Sequence, residues 1–356
     1  MSLVLGCEIN VPILYLLRLY YCTLQRCPSV FAAPHAHSPY EPVEIMVHLT
    51  QNFIQETQTR HWLFLIAILV FSAGVQPRVL SAQKITIDEK AAHGVSLTYH
   101  QDRYFMAWTG LSNKLYVMRS DEGVDWRAKI ALDESSAHAP DIASDGEYLY
   151  LVWSGEDSDA IYVMRSRDGV DWVNKVRIDE KTDERPAITA SDEGRLLIAW
   201  KGKDSDKIHM RQSRDGVDWT TKIVLDESSN NGPTLADYDG RFYVAWTGMS
   251  NNDIYVMRSR DGVDWTTKIR LDEQSRKSPS LTRYDERLYL GWIGDSEGDI
   301  YVMSSEDGVD WGSKVRTGEK TLKSIKLSGG QKLAIGFQGD SSDKVYCLMS
   351  RDGVDF

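Results

Sequence analysis

Carboxylates recur along this chain at a fixed place in a phrase of the form Ser-x-x-Gly-Val-Asp followed by Trp or Phe. Two chemistries suit such residues: accepting backbone N–H groups in a tight turn, or binding a cation. Two carboxylates per turn fall short of the six or more oxygens that calcium takes, so we expect the structural role. We therefore predict no cofactor and no metal, and calcium stays an open alternative. The first Asp of the phrase is Asp168, Asp215, Asp261, Asp307 and Asp352, and Glu122 replaces it in the first copy.

The phrase belongs to a longer repeat, and its last residue marks the period. The six copies end at Trp126, Trp172, Trp219, Trp265, Trp311 and Phe356, so neighbouring copies lie 45 to 47 residues apart. Each copy contains four short segments typical of strands, such as the alternating run from Lys268 to Asp272, and none has the spacing of a long helix. Four strands in about 45 residues are typical of a propeller blade. The predicted repeats are 84–126, 127–172, 173–219, 220–265, 266–311 and 312–356.

The two ends of the repeat array complement one another. The chain ends inside the sixth phrase, without the strand of the Lys-Ile-x-Leu-Asp type that follows the other copies. Residues 84–89 supply such a strand without a preceding phrase. We therefore predict an all-β, six-bladed β-propeller with four-stranded blades, closed by the strand 84–89 pairing into the last blade. Closure removes the exposed edge strand that an open array would have.

The Ser, Asp, Gly and Trp of the phrase resemble the Asp-box (BNR) repeats of the sialidase-like β-propellers. In that family the box closes the turn between the third and fourth strands of a blade. The copies here are one residue shorter between Asp and Trp, and they carry Asp where Thr is usual. The resemblance spans Lys84 to Phe356 and implies the propeller fold. It says little about activity, because one fold hosts many functions.

The resemblance also implies what an exo-sialidase of this family needs. It needs three Arg that clamp a carboxylate, a Tyr nucleophile with a Glu partner, and an Asp acid/base; Arg suits the clamp because its planar fork matches a carboxylate. Only Arg185 and Arg276 occupy the relevant loops. The third-strand Tyr recurs in almost every blade, whereas a nucleophile should be unique. Sialidase-type hydrolysis is therefore the alternative function, with Arg185 and Arg276 as its candidate residues.

A repeated binding surface fits the near-uniform blades better than a single catalytic pocket. Five second strands end in Trp, each followed by Gly and a polar loop such as residues 155–159. An aromatic ring beside carboxylates and amides suits a sugar, although the same rings could instead form the blade core. Three further residues lie in varied loops expected near the ring axis. The candidate ligand-binding residues are Trp108, Trp153, Trp200, Trp246, Trp292, His138, Arg185 and Lys277.

The N-terminal segment differs in composition from the repeats, since residues 1–82 contain neither Lys nor Asp. Within it, Trp62 to Phe71 form an unbroken apolar run with a basic flank before it and small residues after it, as in a secretory signal peptide. The run is shorter than the about 20 apolar residues that span a bilayer, and a signal anchor is the alternative. We assign 1–45 to a leader or an over-extended reading frame with Met46 as the true start, 46–82 to the signal peptide region, and 83–356 to the propeller.

The net charge of the chain excludes one class of binding partner. The chain has 41 basic and 52 acidic residues and a formal net charge of −11, which argues against nucleic acid as a partner because phosphate binding needs a basic surface. We predict a secreted (extracellular or periplasmic), monomeric, lectin-like or adhesion module that binds glycans and has no membrane span in its mature form. A protein-interaction scaffold is the third alternative.

Overall fold

The computed structural model describes residues 84–356, and the regular secondary structure in that range consists of β-strands alone. The first strand, β1 (Ile85–Lys90), is followed by 23 strands that form six antiparallel four-stranded sheets with β1. These sheets are the six blades of a propeller, so the predicted all-β six-bladed propeller is confirmed; each blade takes its fourth strand from the start of the next predicted repeat. Within residues 84–356, no helix is long and apolar enough to cross a bilayer.

The first three blades follow β1 in chain order. Blade 1 contains β2 (Val95–His100), β3 (Arg103–Thr109), β4 (Lys114–Ser120) and β5 (Arg127–Ser135). Blade 2 contains β6 (Asp141–Ser144), β7 (Leu149–Ser154), β8 (Ala160–Ser166) and β9 (Trp172–Lys181). Blade 3 contains β10 (Ala187–Ala190), β11 (Leu196–Lys201), β12 (Lys207–Ser213) and β13 (Ile223–Ser228).

The last three blades complete the ring. Blade 4 contains β14 (Thr234–Tyr238), β15 (Arg241–Thr247), β16 (Asp253–Ser259) and β17 (Thr266–Gln274). Blade 5 contains β18 (Ser280–Tyr284), β19 (Arg287–Ile293), β20 (Asp299–Ser305) and β21 (Val315–Lys320). Blade 6 contains β22 (Ile325–Gly329), β23 (Leu333–Gln338) and β24 (Lys344–Ser350), and β1 is its fourth strand.

The closing strand lies where the sequence predicts it. β1 pairs antiparallel with β24, with Ile85 opposite Cys347 and Ile87 opposite Val345. Blade 6 also contacts blade 1 directly, because the Tyr104 hydroxyl donates to the Lys332 carbonyl at 2.7 Å. The first and last strands of the described range therefore share one sheet, and the ring has no open end.

The hydrophobic core is divided among the spaces between neighbouring blades. One cluster, for example, combines Phe105 and Ala107 of blade 1 with Leu149, Leu151 and Trp153 of blade 2. Such packing buries both faces of each sheet, which explains why the second strand of a blade is almost continuously apolar, as in β7 and β11. The blades thus depend on one another for their cores.

Two faces of the ring can be distinguished by their connections. The loops between blades and the loops between second and third strands lie on one face, which we call the loop face. The turns after the first strands and the turns formed by the repeated phrase lie on the other, which we call the turn face. This arrangement follows from antiparallel pairing within every blade.

The repeated phrase forms a hydrogen-bonded turn on the turn face, here called the Asp turn. In blade 4 the Asp261 carboxylate accepts the backbone N–H groups of Val263 and Asp264, both at 2.9 Å, and the Ser259 hydroxyl accepts the N–H of Gly262 at 2.8 Å. These bonds hold the pKa of Asp261 below its ordinary value. Gly262 has a φ of 74°, which favours glycine, and a Cβ there would lie 2.6 Å from the Gln212 side chain of blade 3.

A ring of ion pairs joins the outer strands of all six blades. Each blade contributes a Lys that bonds to a Glu of the preceding blade and a Glu that bonds to a Lys of the following one, with N–O distances of 2.5 to 3.1 Å. We call this set the rim pairs. They are Lys84–Glu319, Lys129–Glu89, Lys175–Glu134, Lys222–Glu180, Lys268–Glu227 and Lys314–Glu273.

Candidate functional site

The second-strand aromatic residues belong to layered units at the rim of the loop face. In blade 4, Trp246 stacks on Tyr255 with ring centroids 5.5 Å apart and 20° between the ring planes. The Lys268 ammonium lies 4.6 Å from the centroid of the Tyr255 ring and bonds to Glu227 of blade 3 at 2.6 Å. The Lys therefore covers the outer aromatic ring with a cation–π contact while it is held by the Glu of the neighbouring blade.

The predicted Trp platform needs correction. All five rings are fully buried at 0% exposure, and they are Trp108, Trp153, Trp200, Trp246 and Trp292. A buried ring has no free face on which a sugar could stack, so these Trp are core residues that support the neighbouring aromatic ring. The aromatic residue nearer the surface is the half-buried third-strand Tyr, namely Tyr116, Tyr162, Tyr255, Tyr301 and Tyr346, with His209 in its place in blade 3.

A groove lies beside this unit, between blades 3 and 4. It has a volume of about 270 Å³, and both blades line it. Blade 3 contributes Lys207 and Asp226, which bond to each other at 2.6 Å, and blade 4 contributes Ser250 and Asn251 from the loop before β16. The Tyr255 hydroxyl accepts a hydrogen bond from the Asn251 amide at 3.3 Å. The groove therefore combines an aromatic edge with closely spaced hydrogen-bond donors and acceptors.

Arg185 lies in a buried cluster that connects several blades, and it is not a free guanidinium. It donates to the Asp141 carboxylate at 2.8 Å, and the Lys326 ammonium bonds to the same carboxylate oxygen at 2.6 Å. The Ser96 hydroxyl also donates to that oxygen at 2.6 Å, and the N–H of Ile188 donates to the other oxygen at 3.0 Å. Blades 1, 2, 3 and 6 thus meet on one carboxylate, and we call this set the axial cluster.

The electrostatics of the axial cluster follow from burial opposed by charge. Desolvation alone would raise the pKa of Asp141, but Lys326 and Arg185 outweigh it and lower the pKa to about 2. Burial lowers the pKa of Lys326, and the Asp141 carboxylate opposes that shift. The ionised Asp141 carboxylate is therefore required to compensate the positive charges of Lys326 and Arg185 inside the cluster.

The other predicted loop residues lie on the loop face. Arg276 bonds to Asp295 at 2.7 Å, so the structure pairs Arg185 and Arg276 with separate carboxylates. Lys277 is exposed. His138 is half-buried, with its ring centroid 6.1 Å from that of His93, and burial lowers the pKa of both imidazoles. These positions give an open, charged surface, and Arg185 and Arg276 do not form a shared clamp there.

Sequence reasoning missed two sets of residues. The rim pairs had a visible signal, because a Lys and a Glu five residues apart recur in all six outer strands, as in Lys268 and Glu273. Asp141 and Lys326 had no comparable signal. They lie 185 residues apart, and only closure of the ring brings blade 6 close enough to blade 2 for their side chains to meet.

Comparison with known proteins supports the architecture. No protein-family profile matches the chain, and no curated protein is significantly similar to it in sequence. Solved propellers resemble it in structure. The Hadza microbial sialidase Hz136 has a TM-score of 0.57 and 14% identity, over 74% of this chain and 66% of the sialidase. This chain thus spans just under two thirds of that protein.

Two lectins are similar in the same way. SapL1 lectin, solved with α-methyl fucoside, has a TM-score of 0.54 and 14% identity over 70% of this chain and 90% of the lectin. A variant of the Aleuria aurantia lectin, solved with Fucα1-6GlcNAc, has a TM-score of 0.52 and 10% identity over 76% of this chain and 99% of the lectin. At these identities the similarity establishes the six-bladed propeller fold alone.

Proposed function

We propose that this protein is a carbohydrate-binding propeller whose ligand sites are the grooves between neighbouring blades at the rim of the loop face. The observation that carries the proposal is the groove between blades 3 and 4. There a supported Tyr255 ring, the Asn251 amide, the Ser250 hydroxyl and the Lys207–Asp226 pair surround about 270 Å³. Sugars are recognised by such combinations of an aromatic surface with a few well-placed polar groups.

The repeated architecture favours several shallow sites over one deep site. The layered unit of Trp or Phe, Tyr or His, and the rim pair recurs in every blade. Several weak sites on one ring give avidity for a glycan-covered surface, since later contacts are intramolecular. The fucoside-bound lectins with this fold make α-methyl fucoside a reasonable first probe.

The test uses the full-length chain on a glycan array, followed by calorimetric titration with the best ligand. We expect more than one ligand per chain, and Asn251→Ala to remove one site without changing the affinity of the others. Thr221→Ala, an exposed residue in the connection between β12 and β13, is the matched control and should leave binding unchanged. Absence of binding to every glycan would reject the proposal and favour a protein-interaction scaffold.

Sialidase-type hydrolysis is the second candidate, because one solved structure of this fold is a microbial sialidase. The contacts of Arg185 argue against it, since its guanidinium is bound to the buried Asp141 carboxylate. A fluorogenic sialoside assay decides between the two. Turnover that Arg185→Lys abolishes without unfolding the protein would reverse the order of the two functions.

We also propose that the protein is secreted and monomeric, uses no cofactor, and carries repeats of the Asp-box type. The Asp turns support the last assignment through their shared Ser, Asp, Gly and aromatic positions. The apolar run from Trp62 to Phe71 and the alternative start at Met46 support secretion, and both lie outside the described residues. N-terminal sequencing of the exported protein tests them; a mature chain that begins near Met1 would contradict the proposed leader.

A further inference from the structure

A cavity of about 560 Å³ lies on the axis of the propeller, bordered by the innermost strand of every blade. Its lining includes the turn residues Asp239, Asp285 and Glu286, so it extends to the turn face, opposite the loop face. Lys326 of the axial cluster lines it as well. The cavity is therefore distinct from the rim grooves.

The blades differ most from one another along this cavity. At one equivalent position of the innermost strands all six blades have Leu or Ile, as in Leu97 and Ile142. Two positions later no residue occurs twice. The six residues there are Tyr99, Ser144, Ala190, Asp237, Arg283 and Gly329, and all of them line the cavity. A position that differs in every blade can form one unique site, which a repeated position cannot.

The turn-face part of the cavity is acidic and aromatic. Four acidic residues line it, and the nearby cation Arg283 already bonds to Asp192 at 2.6 Å. Three Tyr also line this part, and aromatic rings attract cations through their faces. The acidic residues are Asp237, Asp239, Asp285 and Glu286, and the aromatic residues are Tyr99, Tyr238 and Tyr284.

Asp237 is the residue whose surroundings indicate a ligand site. It is 5% exposed, and its Oδ1 has no hydrogen-bond partner within the described residues. Its other oxygen lies 3.7 Å from the Arg283 guanidinium, which is closer to Asp192. A buried carboxylate without a full set of partners is costly, and a cation that supplied one would be bound favourably.

We propose that the axial cavity binds one small organic cation, a primary amine or a guanidinium compound, with Asp237 as the carboxylate that receives its charge. The hydroxyl groups of Thr98, Thr189 and Ser328 line the same cavity and offer further acceptors. The volume and the Tyr rings suit an organic cation with an apolar part better than a bare metal ion.

The site should depend on pH. Burial, helped by the Asp192 carboxylate, raises the pKa of Asp237 to about 6 against the opposing effects of Arg283, Arg195 and the Asp192 backbone N–H. Below that value the carboxyl is neutral and loses its attraction for a cation. Binding should therefore be nearly constant above pH 7 and about tenfold weaker at pH 5 than at pH 7.5.

The test titrates the full-length protein with benzylamine and with benzyl alcohol, which has a similar shape but no charge. We expect one benzylamine per chain, no measurable benzyl alcohol, and at least tenfold weaker benzylamine binding for Asp237→Asn. Asp272→Asn, at an exposed carboxylate on the outer strand β17, is the matched control and should bind benzylamine normally. Asp237→Asn should fold, because it removes a buried charge whose Oδ1 lacks a hydrogen-bond partner within the described residues.

Three outcomes would overturn the proposal: equal binding of the amine and the alcohol, unchanged amine binding in Asp237→Asn, or displacement of benzylamine by millimolar calcium. Failure of benzylamine and of agmatine, a guanidinium probe, to bind would overturn it too. None of these results affects the glycan proposal, whose sites lie on the other face and exceed one per chain.

Discussion

Around the rim, every blade gives a Lys to one neighbour and a Glu to the other, whereas along the axis the six blades present six different residues at the level of Asp237. The rim pair of Lys268 and Glu227 has five equivalents with the same two residue types. The axial cluster, by contrast, has one Asp, one Lys and one Arg from three blades. A repeated residue pair suffices at the rim, where each contact joins two neighbouring blades. Different residues are useful along the axis, where all six blades meet.

The comparison also separates exposed from buried charge. Rim pairs are partly exposed, so water and salt weaken them. The axial cluster is buried, so removing one partner leaves a charge without compensation. We therefore expect substitutions along the axis to cost more than equivalent substitutions at the rim.

The largest expected effect is that of Asp141→Asn. It leaves Lys326 and Arg185 buried without a carboxylate, and we expect a loss of about 3–5 kcal/mol in the free energy of unfolding, measured by urea denaturation at pH 7. Because the folded pKa of Asp141 is about 2 and its ordinary value is 3.8, this contribution is present above pH 4 and is lost as the pH falls towards 2.

Lys326→Met is the informative partner of that variant. It removes the buried ammonium but leaves Asp141 bonded to Arg185, Ser96 and the N–H of Ile188. We expect less than half the loss seen for Asp141→Asn. A loss below about 1 kcal/mol for Asp141→Asn would show that the axial charges contribute no more than rim charges.

The Asp turns give an intermediate effect and an internal control. Asp261→Ala removes an acceptor of two backbone N–H groups and should cost about 2 kcal/mol in the free energy of unfolding. Glu122, at the equivalent place in the first turn, forms no side-chain hydrogen bond within residues 84–356, so Glu122→Ala should change stability by less than about 0.5 kcal/mol. Equal losses in the two urea titrations would contradict the role assigned to the Asp carboxylate.

The architecture was predictable because it depends on periodic features. The spacing of Trp126 and its equivalents gave the number of blades, and the unmatched strand at residues 84–89 gave the closure, which the pairing of β1 with β24 confirms. Each of these signals is local or repeated, so no long-range geometry is needed to detect it.

The details of the site were predictable only in part. The second-strand Trp was assigned to a binding platform because its type and its polar loop suit a sugar, but inter-blade packing covers the ring, and residue type alone does not tell which aromatic of a stacked pair is outermost. Arg185 was assigned to a loop surface, whereas its partner Asp141 belongs to another blade. Contacts across the axis join residues of unrelated sequence position, so a repeat pattern cannot reveal them.

The smallest expected effect concerns a single rim pair. Glu227→Lys removes the bond to Lys268 and places two cations together, and we expect a loss of about 1 kcal/mol or less in the free energy of unfolding. Adding Lys268→Glu should restore the pair with reversed charges and recover most of the loss. In 1 M NaCl, where charges are screened within about 3 Å, the difference between the single and double variants should shrink. If this difference does not shrink, or if Glu227→Lys lowers the free energy of unfolding as much as Asp141→Asn does, the rim pairs stabilise the ring through more than the attraction of exposed charges. Rim and axis would then differ only in that the rim repeats its residue types and the axis does not.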